Sequence, residues 1–136
     1  MPTKDVLYLG DTSLETAASY LSLILEHAGL TYDYVQSDES MPERLIAVDY
    51  GLYILSDYPS ACLGTEAMQR IEDKVRSGAS LLMIGGWESF QGQSGGYHGT
   101  SLAELLPVHI SPEDDRINSA DPCFVVPVKR HGITDG

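Results

Sequence analysis

The sequence predicts a doubly wound α/β domain in three layers, a mostly parallel sheet with helices on both faces. Short apolar runs alternate with helical patterns along the chain. The apolar runs are mostly continuous, as in strands that are covered on both faces. Helical crossovers between successive strands favour parallel pairing, because a right-handed crossover brings the chain back over the sheet.

The first strand and helix are predicted near the N-terminus. Residues 6–9 form an apolar run that ends at Gly10 and Asp11, and Thr12 and Glu15 have the spacing of a capping box. A helix follows and ends before Gly29, which is placed as a left-handed terminating glycine. Its apolar residues recur at helical spacing: Leu14, Ala17, Ala18, Leu21, Ile24 and Leu25.

The remaining elements continue the alternation. Further strands are predicted from Tyr32, over residues 52–55 and over residues 80–84, with a helix over residues 66–77. A short helix around residues 102–106 and weaker strands at 108–110 and 123–128 complete the pattern. The predicted strand order is 2-1-3-4, the flavodoxin-like order, with one or two further strands beside the fourth.

The length of the chain indicates the number of domains, and its charge limits the classes of partner. The 136 residues, 43% of them hydrophobic, suit one domain over residues 1–136. A net charge of −12 without a basic cluster argues against nucleic acid and anionic membrane surfaces as partners. No apolar run approaches the roughly 20 residues of a membrane span, and no signal sequence is recognised. A cytoplasmic protein is predicted, and a homo-oligomer is left open.

Ligands of such sheets bind beyond the carboxyl ends of the strands. Three loops reach that edge, at residues 10–13, 56–62 and 85–100. The last holds six of the 13 glycines and the only Trp, and loops of this length inside a domain are more often functional than not. The predicted ligand-binding residues are Gly10, Asp11, Ser56, Asp57, Gly85, Gly86, Trp87, Tyr97 and His98.

Catalytic candidates are few. His98, Asp57 and Glu88 all follow strand ends on the ligand side and could converge there, although Asp57 could instead cap backbone amides in a turn. Trp87 and Tyr97 could wall a pocket or serve as packing anchors. The four histidines share no ligand spacing, and the acidic run from Glu113 reads as a solvated turn. No metal and no cofactor are predicted.

Two sequence motifs carry a family resemblance. The run LLMIGGWESFQGQSGGYHGTSLAELLPV resembles the class I glutamine amidotransferase-like group of bacterial proteins. The closing HGITDG resembles the H-P-[IV]-T-x-G element found there and in trehalose-utilisation (ThuA-like) proteins, with Gly132 in place of proline. Proteins of this kind continue past the motif, so the resemblance leaves open that the domain is truncated at its C-terminus.

The resemblance implies a nucleophilic cysteine at a strand-to-helix elbow, with a histidine base and backbone amides for the oxyanion. The matching position reads Gly85-Gly86-Trp87 and has no thiol, hydroxyl or carboxylate. Ser89 lies too late in the loop. Cys62 falls where the group holds its oxyanion-hole backbone, and an inert thiol is the favoured interpretation. Glutaminase activity by the usual route is therefore not expected.

Two other proteins of the same topology fit less well. A receiver domain would use Asp57 as phosphoacceptor, but it also needs an acidic pair after the first strand and Ser or Thr after the fourth. A flavodoxin would bind the flavin phosphate in the loop after the first strand, and the hydroxyl groups of DTSLET suit that role. This loop lacks the glycine that such a turn usually has, and Thr12 is already assigned to helix capping.

Three functional hypotheses remain. The first is a non-glutaminase member that binds a small polar or carbohydrate-like ligand. The second is an enzyme with relocated catalytic residues, His98 with Glu88 or Asp57, acting on a carbohydrate-like substrate. The third is an interaction or oligomerisation module.

Overall fold

The computed structural model describes residues 4–114, 116–124 and 126–132. Four strands alternate with helices along the chain. Their bounds are β1 Val6–Gly10, α1 Ser19–His27, β2 Tyr32–Val35, α2 Glu43–Ile46, β3 Leu52–Ser56, α3 Ser60–Leu63, α4 Thr65–Arg76 and β4 Ser80–Ile84, and a 3-10 turn follows at Ala103–Leu105.

The four strands form one parallel sheet in the order β2-β1-β3-β4. Val6 is paired with Tyr32 on one side and with Leu52 on the other, and Leu52 is paired with Ser80. All four carboxyl ends therefore lie at one edge of the sheet. The predicted flavodoxin-like α/β fold and its strand order are confirmed.

Alternate residues of each central strand enter two separate cores. Leu7, Leu9 and Leu55 pack with residues of α2 and α4 on one face of the sheet. Val6, Tyr8 and Ile54 pack with α1 on the other. Both faces of β1 and β3 are buried, which explains their uninterrupted apolar sequences.

The start of α1 differs from the prediction. The helix begins at Ser19, and the hydroxyl of Ser13 accepts a hydrogen bond from the amide of Glu15 at 3.0 Å. The predicted capping box of Thr12 and Glu15 is wrong, because this local serine turn takes the Glu15 amide and the helix starts later. The other end is as predicted, with Gly29 just past the helix at φ +73°.

The buried face of α1 also differs from the prediction. Ala18, Ser22 and Leu25 face the sheet, whereas Leu14 and Ile24 of the predicted stripe are 39% and 46% exposed. Two further apolar side chains on the helix face outward, Tyr20 and Leu23, at 77% and 62% exposure. Apolar residues lie all round this short helix, so their spacing alone could not select the buried face.

The additional strands predicted beside β4 are absent from the described residues. Residues 108–110 are irregular, and so are the described residues of 123–128, where Phe124 and Val126 are 87% and 71% exposed. Pro107, Pro122 and Pro127 lie in or next to these segments and cannot donate to a strand ladder. β4 is therefore the edge strand of the sheet in the described structure.

No helix in the described ranges has the length and apolarity needed to cross a bilayer. The cytoplasmic location remains a prediction.

Gly10→Ala is expected to cost at least about 4 kcal/mol of unfolding free energy, or to prevent folding. A Cβ at Gly10 would lie 1.5 Å from the carbonyl oxygen of Ser56, at φ +128°. Gly29→Ala is the matched control: its φ is also positive but nothing lies within 4 Å of the added Cβ. We expect the control to cost about 1–2 kcal/mol in urea denaturation. Equal losses for the two variants would contradict the close approach of β1 and β3.

Candidate functional site

The carboxyl ends of β1 and β3 are held together by backbone contact. The amide of Asp11 donates to the carbonyl of Ser56 at 2.8 Å, directly beside the close approach of Gly10. Asp11 and Asp57 each follow a strand and each adopt φ +52°. Aspartate tolerates the left-handed region better than most residues, so both strands can turn sharply at this edge.

Asp11 is occupied by structural hydrogen bonds. Its carboxylate accepts from the hydroxyl of Tyr8 at 2.6 Å, and its carbonyl accepts from the hydroxyl of Tyr34 at 2.8 Å. Burial, with the nearby Asp11 carboxylate, raises the pKa of Tyr34 to about 12 and also raises that of Tyr8, so both hydroxyls stay protonated as donors. Asp11 fixes the loop after β1.

Asp57 fastens the glycine-rich loop to the end of β3. Its Oδ1 accepts a hydrogen bond from the amide of Glu88, and its own amide donates to the hydroxyl of Ser89 at 2.8 Å. Ser89 is 2% exposed. Asp57 does accept from a backbone amide, but this amide lies 31 positions away and not in the following turn, so the local turn cap considered from the sequence is not the bond that is found. The role of Ser89 had no signal in the sequence, since it depends on this long-range pairing.

The carboxylate of Asp57 also fills the space next to Gly86. A Cβ at position 86 would lie 2.3 Å from Oδ1 of Asp57. Neither Gly85 nor Gly86 has a positive φ, and residues 85–100 form turns and bends before the short 3-10 turn. The backbone after β4 is therefore a folded loop, unlike the sharp strand-to-helix elbow that presents a nucleophile.

Tyr97 anchors the far end of the loop. Its side chain has no exposed surface, and its hydroxyl donates to the carbonyl of Tyr58 at 2.8 Å. Ser60 adds two contacts, its amide donating to the carbonyl of Gly95 and its hydroxyl to that of Gly96, at 2.8 and 2.9 Å. Of the two roles considered for Tyr97, the packing anchor describes its position, because a fully buried ring cannot wall an open pocket.

Trp87 lies on the surface and stacks with Arg116. The indole is 66% exposed, and the guanidinium lies 5.0 Å from the ring centroid. Arg116 also makes a two-point hydrogen-bonded ion pair with Asp114, at 2.8 and 2.7 Å. Those hydrogen bonds lower the pKa of Asp114 to about 2. The acidic turn predicted here is thus partly neutralised by Arg116.

The three catalytic candidates do not form one cluster in the described structure. Asp57 meets the backbone of Glu88, whose carboxylate accepts from the hydroxyl of Ser94 at 3.2 Å. His98 is exposed, and its Nδ1 lies 2.9 Å from the carbonyl oxygen of Ile110. No hydrogen bond or ion pair joins His98 to either carboxylate within the described ranges. No group of three metal-ligating side chains is found there either.

Cys62 is half-buried in α3, and burial raises the pKa of its thiol, with Glu88 and Asp38 adding repulsion. A thiol with a raised pKa stays protonated and is a poor nucleophile. This agrees with the inert role favoured from the sequence.

Two grooves flank the segment that contains His109 and Ile110. The glycine-loop groove, about 200 Å³, lies beyond the end of β4; it is lined by loop glycines and by residues that include Phe90, Gln91, His109, Ser111 and Arg116. The His98 groove, about 490 Å³, is lined by residues that include His98, Thr100, Glu104, Leu106, Val108 and His109. Asp57, Trp87 and Tyr97 line neither groove.

The fold and this edge define a flavodoxin-like α/β protein whose loops meet beyond the carboxyl ends of a parallel sheet. The chain belongs to the glutamine amidotransferase-like family GATase1_like, described as "Putative glutamine amidotransferase", whose model matches residues 4–136. Curated proteins give no significant match to the chain. The family predicted from the loop after β4 is confirmed at this level.

Gly86→Ala is expected to cost about 1–3 kcal/mol of unfolding free energy, because the added methyl group overlaps the carboxylate of Asp57. In an Asp57→Gly background, the same substitution should cost less than half as much, since the obstructing group is gone. Gly85→Ala is the control, as its Cβ would make an ordinary contact 3.7 Å from the Phe90 ring. A double-mutant cycle in urea measures the coupling, and additive effects would argue against it.

Proposed function

We propose that this protein binds a small, neutral, carbohydrate-like ligand in the glycine-loop groove and does not hydrolyse glutamine through a cysteine nucleophile. The observation that carries the proposal is the groove itself, at the edge of the sheet where α/β proteins bind ligands.

The missing glutaminase activity follows from the loop after β4. Position 86 has no side chain, and the carboxylate of Asp57 lies where a side chain would begin. The hydrogen bonds to the Glu88 amide and to Ser89 hold the loop in this arrangement, so a side chain at position 86 would have to displace the Asp57 carboxylate. Of the two cysteines, Cys62 is the nearer in sequence to position 86. Its thiol is half-buried and stays protonated, because burial raises its pKa.

The chemistry of the groove supports a polar ligand. His109, Ser111 and the amide nitrogen of Gln91 supply hydrogen-bonding groups, and the ring of Phe90 supplies an apolar surface. The side-chain oxygen of Gln91 already accepts from the amide of His98 at 3.3 Å. A sugar needs both, because its hydroxyl groups donate and accept while its C–H groups pack against an aromatic ring. At about 200 Å³, the groove is smaller than the roughly 300–1,000 Å³ of typical ligand pockets, which limits the ligand to about the size of one sugar ring.

The charge of the groove supports a neutral ligand. Arg116 is the one lining residue with a full positive charge among those described, and Asp114 already pairs with it through two hydrogen bonds. An anionic ligand would have to compete with Asp114 in a protein of net charge −12. A ligand that bears hydroxyl groups can share the guanidinium without displacing the carboxylate.

A panel of monosaccharides and polyols, titrated by NMR, tests the binding proposal. We expect at least one member to saturate resonances of the glycine-loop groove, and Gln91→Ala to weaken it about tenfold by removing one hydrogen-bonding side chain. Gln69→Ala is the matched control, since it removes an exposed glutamine from α4. Binding that is unchanged in Gln91→Ala, or no saturation by any member, would refute the proposal.

The second half of the proposal is tested by incubating the purified protein with glutamine. We expect no release of glutamate above the rate without protein, and no labelling of Cys62 by a glutamine-analogue electrophile. Glutamate release that is abolished by Cys62→Ser would overturn this part and leave the binding test unaffected.

The remaining hypotheses stay predictions. The hypothesis of an enzyme with relocated catalytic residues is not favoured, because no hydrogen bond or ion pair joins His98 to Asp57 or Glu88 in the described residues. One observation supports the hypothesis of an interaction or oligomerisation module: apolar side chains of α1 face outward. Light scattering would test whether the protein self-associates. The closer relationship to ThuA-like proteins rests on the HGITDG motif, whose residues 133–136 lie outside the described part of the chain.

A further inference from the structure

The His98 groove has a defined hydrogen-bonding chemistry. The carbonyl oxygen of Ile110 can only accept, so the Nδ1 atom of His98, 2.9 Å away, must carry the proton. In the neutral imidazole, Nε2 then keeps a free lone pair and acts as an acceptor. The hydroxyl of Thr100 donates to the carbonyl of Tyr97 at 2.8 Å, which leaves the Thr100 oxygen as a second acceptor.

The charge in this groove is negative. Glu104 is the one lining residue with a full formal charge among the described residues, and its carboxylate lies 4.0 Å from the nearest guanidinium nitrogen of Arg76. Both side chains are largely exposed, so this pair is weak. The net charge of −12 adds a field that attracts cations to the surface.

The walls of the groove are apolar. Leu106, Val108 and Ala103 line it together with Pro107, and Val108 is 50% exposed. The volume of about 490 Å³ falls within the range of small-molecule sites. A ligand that fits this groove therefore combines an apolar body with a positively charged hydrogen-bond donor.

We propose that the His98 groove binds a small organic ammonium ion, whose N–H groups donate to Nε2 of His98 and to the Glu104 carboxylate while its apolar body lies against Leu106 and Val108. This site is separate from the glycine-loop groove, although His109 and Ile110 line both. Its ligand differs in charge and in polarity from the neutral sugar proposed there.

The test is an NMR titration of the whole chain with benzylammonium, with benzyl alcohol as the neutral analogue and phenylacetate as the anionic one. We expect saturable shifts of the Leu106 and Val108 methyl groups and of Nε2 of His98 with benzylammonium. Benzyl alcohol should bind more weakly, and phenylacetate should not bind. Equal shifts with all three probes, or no saturation with benzylammonium, would overturn the proposal.

Variants separate binding from folding. His98→Asn places an amide N–H near the position of Nδ1, so the bond to Ile110 can persist while the Nε2 acceptor is lost. We expect its affinity for benzylammonium to fall about tenfold, with the Ile110 amide resonance little changed. His27→Asn, at the exposed end of α1, is the matched control and should bind as the parent does. Unchanged affinity in His98→Asn would overturn the proposed site, because Nε2 of His98 would then not bind the ammonium ion.

Discussion

Backbone contact between the ends of β1 and β3 is the constraint on which the ligand-side edge of this protein depends. Gly10 approaches the carbonyl of Ser56 so closely that no side chain fits between them. Each strand must then turn away at once, and an aspartate in the left-handed region makes each turn. Asp11 and Asp57 are thereby placed side by side, and their carboxylates organise the loops that follow.

The turn at Asp57 determines what the loop after β4 can do. In this position, the carboxylate reaches across to the Glu88 amide and blocks the space beside Gly86. In the wider family this part of the loop is expected to carry the nucleophile. Here it is the part that Asp57 fastens to the end of β3. Asp57, Ser89 and Tyr97 fasten the loop, and two grooves lie around His109 and Ile110. Both proposed binding grooves are lined by residues that follow β4 in the chain.

Most of the fold could be predicted from local patterns. The strands were found because residues buried on both faces must be apolar, and α4 because its apolar residues keep one helical face. The start of α1 was not found, because a serine turn and a capping box compete for the same amide. The prediction of additional strands beside β4 was wrong, because an apolar run next to prolines can also form an exposed, irregular segment.

The sequence by itself determined the parallel sheet, the strand order and the family. The strands and the family follow from patterns within single segments of the chain, where burial and periodicity act directly. The parallel pairing and the strand order follow from the alternation of strands and helices along the chain. Tertiary structure alone decided the partners of Asp57, the burial of Tyr97 and the two grooves. The partners of Asp57 and Tyr97 lie 31 to 39 positions away along the chain, so the packing of the sheet edge sets their geometry and local sequence does not. The grooves depend on the irregular path of the chain after β4, which has no periodic pattern to predict it.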